Sequence, residues 1–226
     1  YWLETDAWLR TMYNVPGLKL DEIGAMKSKI RMKEVFSSAG IAVARGQIVG
    51  SWDETLQFIN QVGYPVIVKP DVGVGASSTY RINSEEDLAK FFAHQSNHPY
   101  IMEEFIEGQI HTFDGLVDDQ GNIVFYTSHV YNDGIMECVI EQLDVTFHSV
   151  RNVPADLEDA GRRSIAAFGI KERFFHLEFF RLPGEGKIVA LEANMRPPGG
   201  PILDMMNFAN DINIYQEWAN MIVHGK

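Results

Sequence analysis

A single cysteine, Cys138, stands in a chain of 226 residues, so no internal disulfide and no multi-cysteine zinc site can form. That scarcity suits a reducing compartment, and a cytoplasmic location is expected. Positive charge is also short, with 19 Lys and Arg against 31 Asp and Glu and a formal net charge of −12. Nucleic acids and anionic membranes bind to basic surfaces, so neither is expected as a partner. No apolar run approaches the roughly 18 residues of a membrane span, no signal-peptide pattern opens the chain, and no repeat or low-complexity tract interrupts it. What is present is 46% hydrophobic and 12% aromatic content, enough to bury one large core or two smaller ones.

Helix and strand signals alternate throughout, which makes the class mixed α and β. The periodicity predicts a helix over residues 27–39, with Met32, Val35, Phe36 and Ala39 on one stripe and Gly40 ending it. Lys29 lies one turn before Met32, where its ammonium reaches a cleft or snorkels to water. A second helix starts at Ser51 with Glu54 three residues later, a capping box, and turns Leu56, Ile59 and Val62 inward. The strand PVIVKP follows and ends near Lys69, and the loop DVGVGASS after it offers Gly73 and Gly75 for close approach of backbone amides to an anion. This loop lacks the Lys-Ser/Thr ending of a P-loop and the third glycine of a dinucleotide fingerprint. A plain hairpin loop with a solvated Lys69 is the competing reading. The strand TYRI and a helix capped by Ser84, with Leu88, Phe91 and Phe92 inward, complete the first half.

The second half opens with IMEEFIEG and continues as a hairpin around DDQGN, a helix ending at Gly169, a hairpin around PGEG and a final helical stretch. Helices are expected on one face of each sheet, an α+β arrangement. In the PGEG hairpin a five-residue loop puts Leu182 opposite Ile188, and the ladder then pairs Glu178 with Glu192, His176 with Asn194 and Phe174 with Arg196. Strand alternation places Phe175, Leu177, Phe179, Val189, Leu191 and Met195 on the other, apolar face, and Phe180, Ile188 and Ala190 beside the glutamates. Two opposed carboxylates with few polar neighbours repel and lose hydration, so a cation is expected to offset them. Mg²⁺ meets that need with Glu178, Glu192 and the amide oxygen of Asn194, and Arg196 neutralises an adjacent anion. The alternative is an ordinary solvated sheet face.

Taken in order, these residues resemble the ATP-grasp superfamily over most of the chain. The pattern is a lysine in an early helix (Lys29), a second lysine at PVIVKP (Lys69), a glycine-rich lid, an acidic hinge, and a glutamate followed by Glu-x-Asn-x-Arg (Glu178, then Glu192, Asn194 and Arg196). The resemblance implies two lobes of antiparallel sheet with helices and a nucleotide between them. It implies that Lys29 and Lys69 hold ATP phosphates beneath a lid of Gly73, Gly75, Ala76 and Ser77. Glu103 and Glu104 would then flank the adenine, with hinge backbone from Phe105 and Ile106. Glu178, Glu192 and Asn194 would bind Mg²⁺, or Mn²⁺ in its place, with Arg196, Glu192 and Lys69 nearest the chemistry. Where many members carry a ribose glutamate this chain has Ile110 and His111, so His111 takes that place by analogy with carboxylases.

The implied activity is activation of a carboxylate as an acyl phosphate followed by ligation to an amine, with small-molecule acid and amine as partners. The string RPPGGP favours that branch over bicarbonate activation as in biotin carboxylase or carbamoyl phosphate synthetase. A nucleotide-binding module without chemistry is a third reading. Residues 1–26 read as the last helix and linker of a missing N-terminal domain, 27–100 as the small lobe with its lid, and 101–226 as the large lobe with the metal site. The chain is thus expected to be a fragment, with a homodimer as the assembly of its parent. Substrate contacts are expected at His129, Asn132, Asp133 and the unperiodic stretch to Ser149.

Overall fold

The computed structural model describes residues 2–73, 78–132, 134, 143–184 and 186–224. The chain opens with α1 (Trp2–Met12), the single turn α2 (Gly24–Lys27) and α3 (Lys29–Ser38). The helix predicted over 27–39 is therefore broken at Ser28. This residue is extended (φ −88°, ψ 121°), and its hydroxyl accepts from Arg31 N, so it caps α3 instead of continuing α2. Asp71 satisfies two more of the new helix's free amides, its backbone oxygen accepting from Lys29 N (2.9 Å) and its Oδ1 from Ile30 N (2.9 Å).

The smaller sheet has the order β1-β4-β2-β3, all antiparallel, from β1 (Gly46–Ile48), β2 (Val66–Pro70), β3 (Tyr80–Ile82) and β4 (Tyr100–Glu104). Helices α4 (Trp52–Val62) and α5 (Glu85–His94) close its core. Both start where the sequence places them, α4 with the complete Ser51/Glu54 capping box and α5 with Ser84 accepting from Asp87 N. Of the apolar residues of α4, Phe58 and Ile59 bury deepest, with Leu56 and Val62 at the margin of the core.

The larger sheet runs β10-β9-β5-β7-β8, with β6 also on β5. Its strands are β5 (Gln109–Val117), β6 (Ile123–Thr127), β7 (His129–Tyr131), β8 (Phe147–Ser149), β9 (Arg173–Arg181) and β10 (Ile188–Asn194). One face packs Phe113, Phe175, Leu177 and Phe179 against Met32 and Phe36 of α3 and Leu157 and Ile165 of α6 (Ala155–Phe168). Helix α3, assigned to the small lobe by a boundary at residue 27, thus packs into the core of the large one. Helices α7 (Ile202–Asn210) and α8 (Ile214–His224) cover part of the opposite face, where Phe174 stacks on Trp218 with centroids 5.1 Å apart. Helices therefore lie on both faces of this sheet, not on one. Among the described residues no helix is long and apolar enough to cross a membrane.

Gly115 sits in β5 between β6 and β9, and a methyl group there would collide with the Phe125 carbonyl oxygen and the Phe175 ring. A backbone neighbour within a paired sheet cannot yield. Gly115→Ala is expected to lower stability by about 3 kcal/mol, in the range of core overpacking, whereas Gly199→Ala, with open space around it, should stay within about 0.5 kcal/mol of the parent. Urea unfolding of the two variants checks the contrast.

Candidate active site

Between the two sheets lies a cleft of about 740 Å³. Helix α3 sends in Lys29 and Lys33, β2 sends Lys69, β4 sends Glu103, and the large sheet supplies Glu178, Glu192 and Asn194, with Arg196 just beyond β10. The pairing of β10, β9 and β5 sets the cleft face in rows. One row is Asn194, His176 and Asp114, the next is Glu192, Glu178 and Thr112, and Phe180 with Ile110 continues toward the hinge.

The opposition of Glu178 and Glu192 agrees with the sequence reading, but the route to it differs. Leu182 N donates to Lys187 O, the hairpin loop is one residue shorter than expected, and Arg181, not Leu182, faces Ile188. A bulge between Ala190 and Glu192 then restores the register. Ala190 N donates to Ala42 O (2.8 Å), which holds the strand edge at the point where it shifts. The bulge also exchanges faces: Ala190 joins the apolar core, Ile188 packs against it, and Leu191 lines the cleft beside Glu192. The sequence reading had Ile188 and Leu191 reversed, while Ala190 borders both the core and the cleft.

The two glutamates are not left to repel each other. Lys29 Nζ lies 3.3 Å from Glu192 Oε1, and His176 Nε2 lies 3.5 Å from Glu178 Oε1. His176 Nδ1 faces Asp114 Oδ1 at 2.6 Å, and the other Asp114 oxygen takes His129 Nδ1 (2.9 Å) and the Thr112 hydroxyl. Burial alone would lower the His176 pKa, but Asp114 and Glu178 on either side push it up to about 10, so the ring is an imidazolium at neutral pH. A cation within the protein thus meets the need that the sequence reading gave wholly to a metal. The Asn194 side-chain amide nitrogen donates to Glu192 Oε2 (3.3 Å). Among the described residues no three His, Cys, Asp or Glu side chains gather into a metal cage. Two carboxylates and an amide oxygen are nevertheless hard donors of the number Mg²⁺ takes when phosphate and water complete its shell, so the set fits that ion.

On the other wall Glu103 is clamped between Lys69 (2.7 Å) and Lys33 (2.8 Å). Burial would raise its pKa, but the two ammonium groups hold it down to about 2. Burial pushes Lys33 down against the pull of Glu103, whereas Lys69, which also feels Glu192 and Glu178, is held above its ordinary value. Glu104 is taken by Arg45, whose side chain and backbone amide both donate to it. Neither hinge carboxylate is free for a ligand, which leaves hydrogen bonding there to the backbone of Phe105 and Ile106, both on the cleft. Lys29 also donates to Gly73 O (3.0 Å), while Gly75, Ala76 and Ser77 lie outside the described residues.

His111 is not in the cleft. It shares its row with Phe179 and so faces away, while its neighbour Ile110 lines the cleft with Phe180. His129, expected among substrate contacts, is fully buried against Asp114, and Asp133 lies outside the described residues. The sequence reading missed Lys33, Glu107 and Tyr131, all on the cleft. The i, i+4 spacing of Lys29 and Lys33, which puts both on one helix face, was the available signal for the first.

With this geometry in view, the family model described as the ATP-grasp domain matches residues 62–204. The chain belongs to the ATP-grasp family. The domain is 26% identical over 230 residues to the L-arginine-specific L-amino acid ligase of Bacillus subtilis, covering 97% of this chain and 55% of that one. It is 24% identical over 193 residues to the C-terminal section of the carbamoyl phosphate synthase large chain of Methanopyrus kandleri, covering 80% of this chain and 35% of that one. Among solved structures, the biotin carboxylase domain of Hydrogenobacter thermophilus 2-oxoglutarate carboxylase, in complex with MgADP, ADP and bicarbonate, superimposes with a TM-score of 0.78 at 19% identity, over 98% of this chain and 51% of that one. This ATP-grasp chain thus spans about half or less of the length of these proteins.

The clamp on Glu103 makes a prediction about acid. Its folded-state pKa of about 2 lies below the ordinary 4.5, so its contribution is present above pH 4.5 and is lost as the pH falls toward 2. The shift corresponds to stability on the order of 3 kcal/mol. Glu103→Gln leaves two buried ammonium groups without their shared partner and should cost about 3 kcal/mol at pH 7. It should also flatten the fall in stability between pH 4.5 and 2, which melting curves across that range would record.

Proposed function

We propose that this domain binds ATP with Mg²⁺ and activates a carboxylate as an acyl phosphate, which an amine then captures. The observation that carries the proposal is the convergence of Lys29 and Lys69 from one side and Glu178, Glu192, Asn194 and Arg196 from the other on a single cleft beside the β4 hinge. The L-amino acid ligase and carbamoyl phosphate synthase relatives support a ligase reading of that arrangement.

In this reading the adenine lies against Ile67 and Phe180 and takes its hydrogen bonds from the backbone at Phe105 and Ile106. Lys69 meets the phosphates nearest the hinge, and Lys29, already directed at Gly73 O and Glu192, meets the terminal ones. Glu178, Glu192 and Asn194 would hold one or two Mg²⁺ ions, which supply positive charge at the phosphate oxygens. The acid's carboxylate oxygen attacks the γ-phosphorus in line and ADP leaves, with the two lysines spreading the charge of the transferred group. Arg196, on the cleft rim, holds the acid's carboxylate or the acyl phosphate formed from it.

The lobe division belongs to the same proposal, with the small lobe built on the four-stranded sheet and α3 counted with the large one. A homodimer of the parent protein is the expected assembly, and the biotin carboxylase relative was solved as a dimer.

A ligand that binds only the folded state stabilises it by mass action, so MgATP at 100 times its Kd should add about 2.7 kcal/mol to the full-length protein. Glu192→Gln should abolish acid-dependent phosphate release, because the amide holds Mg²⁺ poorly. Without metal the same change removes the Lys29 partner as well as a charge facing Glu178, and the two effects oppose each other. Its apo stability should stay within about 1 kcal/mol of the parent. A variant that keeps turnover would remove Glu192 from the metal site, and no thermal shift with MgATP would remove the nucleotide.

A further inference from the structure

The cleft has two apolar ends with a charged strip between them. Ile67, Ile110 and Phe180 stand at the hinge end, and Tyr131, Val145, Phe147 and Ile202 at the far end. The strip is Lys29, Lys69, Glu178, Glu192 and Arg196. Tyr131 is within the field of both Glu178 and Arg196, so the far end adjoins the strip directly. Its wall is supported from behind. The Tyr131 and Phe147 rings lie 5.2 Å apart, Ile202 is 3% exposed within the cluster of Leu116, Phe174 and Met206, and Phe147 packs against that cluster too.

A nucleotide with its base at the hinge and its phosphates on the strip occupies none of the far end. Resting on the function proposed above, we infer that the far end receives the acid, with its carboxylate toward Arg196 and the glutamate pair and an uncharged apolar side chain against Tyr131, Phe147 and Ile202. The substrate class is therefore a carboxylic acid with an aliphatic or aromatic side chain, amino acids included. Bicarbonate has no side chain to bury there. Among the described residues the far end offers a cationic or anionic side chain no charged partner beyond the strip, so such a side chain would lose hydration there, which penalises acids such as arginine. In the reaction the acid's carboxylate oxygen forms a bond to the γ-phosphorus as the bond to ADP breaks, and an amine nitrogen then displaces inorganic phosphate from the acyl carbon and loses a proton to solvent.

Hydroxylamine separates the acid from the natural amine, because it captures any acyl phosphate as a hydroxamate and releases phosphate. Full-length protein with ATP, Mg²⁺ and hydroxylamine would be given bicarbonate, acetate, aspartate, arginine, leucine and phenylalanine in turn. Hydroxamate is expected chiefly from leucine and phenylalanine. Phe147→Ala should raise their KM about 10-fold to 100-fold, from the apolar area lost, with the KM for ATP unchanged. Val145 is half-exposed on the rim, so Val145→Lys tests the same wall without disturbing a core, and it should also raise KM. Hydroxamate mainly from acetate, aspartate or arginine, phosphate release with bicarbonate alone, or an unchanged acid KM in both variants would overturn the inference and leave acyl phosphate chemistry standing. Bound MgATP with no phosphate release on any acid would overturn that chemistry and the inference together.

Discussion

The structure turns on one buried carboxylate. Glu103, 5% exposed, lies between Lys33 of α3 and Lys69 of β2, and those two lysines come from different cores. Helix α3 packs with the large sheet and β2 belongs to the small one, so the ion cluster joins the lobes, together with the bonds from Lys29 N and Ile30 N to Asp71. A charge so deeply buried is tolerable only while both partners remain, which makes the joint directional where an apolar contact would permit sliding. The joint also lies on the cleft wall. The contacts that orient the two sheets are therefore the ones that fix Lys69, while Lys29, one turn before Lys33, is tied to Gly73 on one side and Glu192 on the other.

Features that depend on local rules were legible in the sequence. The Ser51 and Ser84 caps, the strand ending near Lys69 and the alternation of β9 require only neighbours along the chain, and they lie where those rules put them. Glu178 opposite Glu192 was reached through two compensating departures. The hairpin loop is one residue shorter than the count assumed, and a bulge returns that residue, because the Ala42 carbonyl catches the edge of β10. Nothing near PGEG in sequence announces a partner some 150 residues earlier.

Other residues were misread or missed for tertiary reasons. His111 follows Ile110 at the start of β5, and only pairing with β9 decides which of the two faces the cleft. Lys33 lies within an apolar helix stripe, where a lysine ordinarily reads as snorkelling, and its role becomes visible only with Glu103 opposite it. The division of residues at 27 failed to foresee the packing of α3 because sequence order is a poor guide to which core a connecting helix will join.

The charges of the cleft bear on why a metal would accompany the nucleotide. Among the described residues Lys29, Lys33, Lys69, Arg196 and the His176 imidazolium face Glu103, Glu104, Glu107, Glu178, Glu192 and the Asp114 carboxylate beneath, a near balance once Arg45, the partner of Glu104, is added to the cations. Lys29 and His176 already offset the glutamate pair before any ligand is considered. A triphosphate changes this, because its added negative charge would compete with Glu192 for Lys29 and would leave both glutamates facing further anionic oxygens. Among the described residues the β9–β10 ladder presents no further cation to the cleft beyond His176, apart from Arg196, which stands beyond its end. On the proposed reading, the need for divalent charge thus arises from the nucleotide entering a cleft already in balance, and nucleotide and metal should bind as linked partners, not in independent steps.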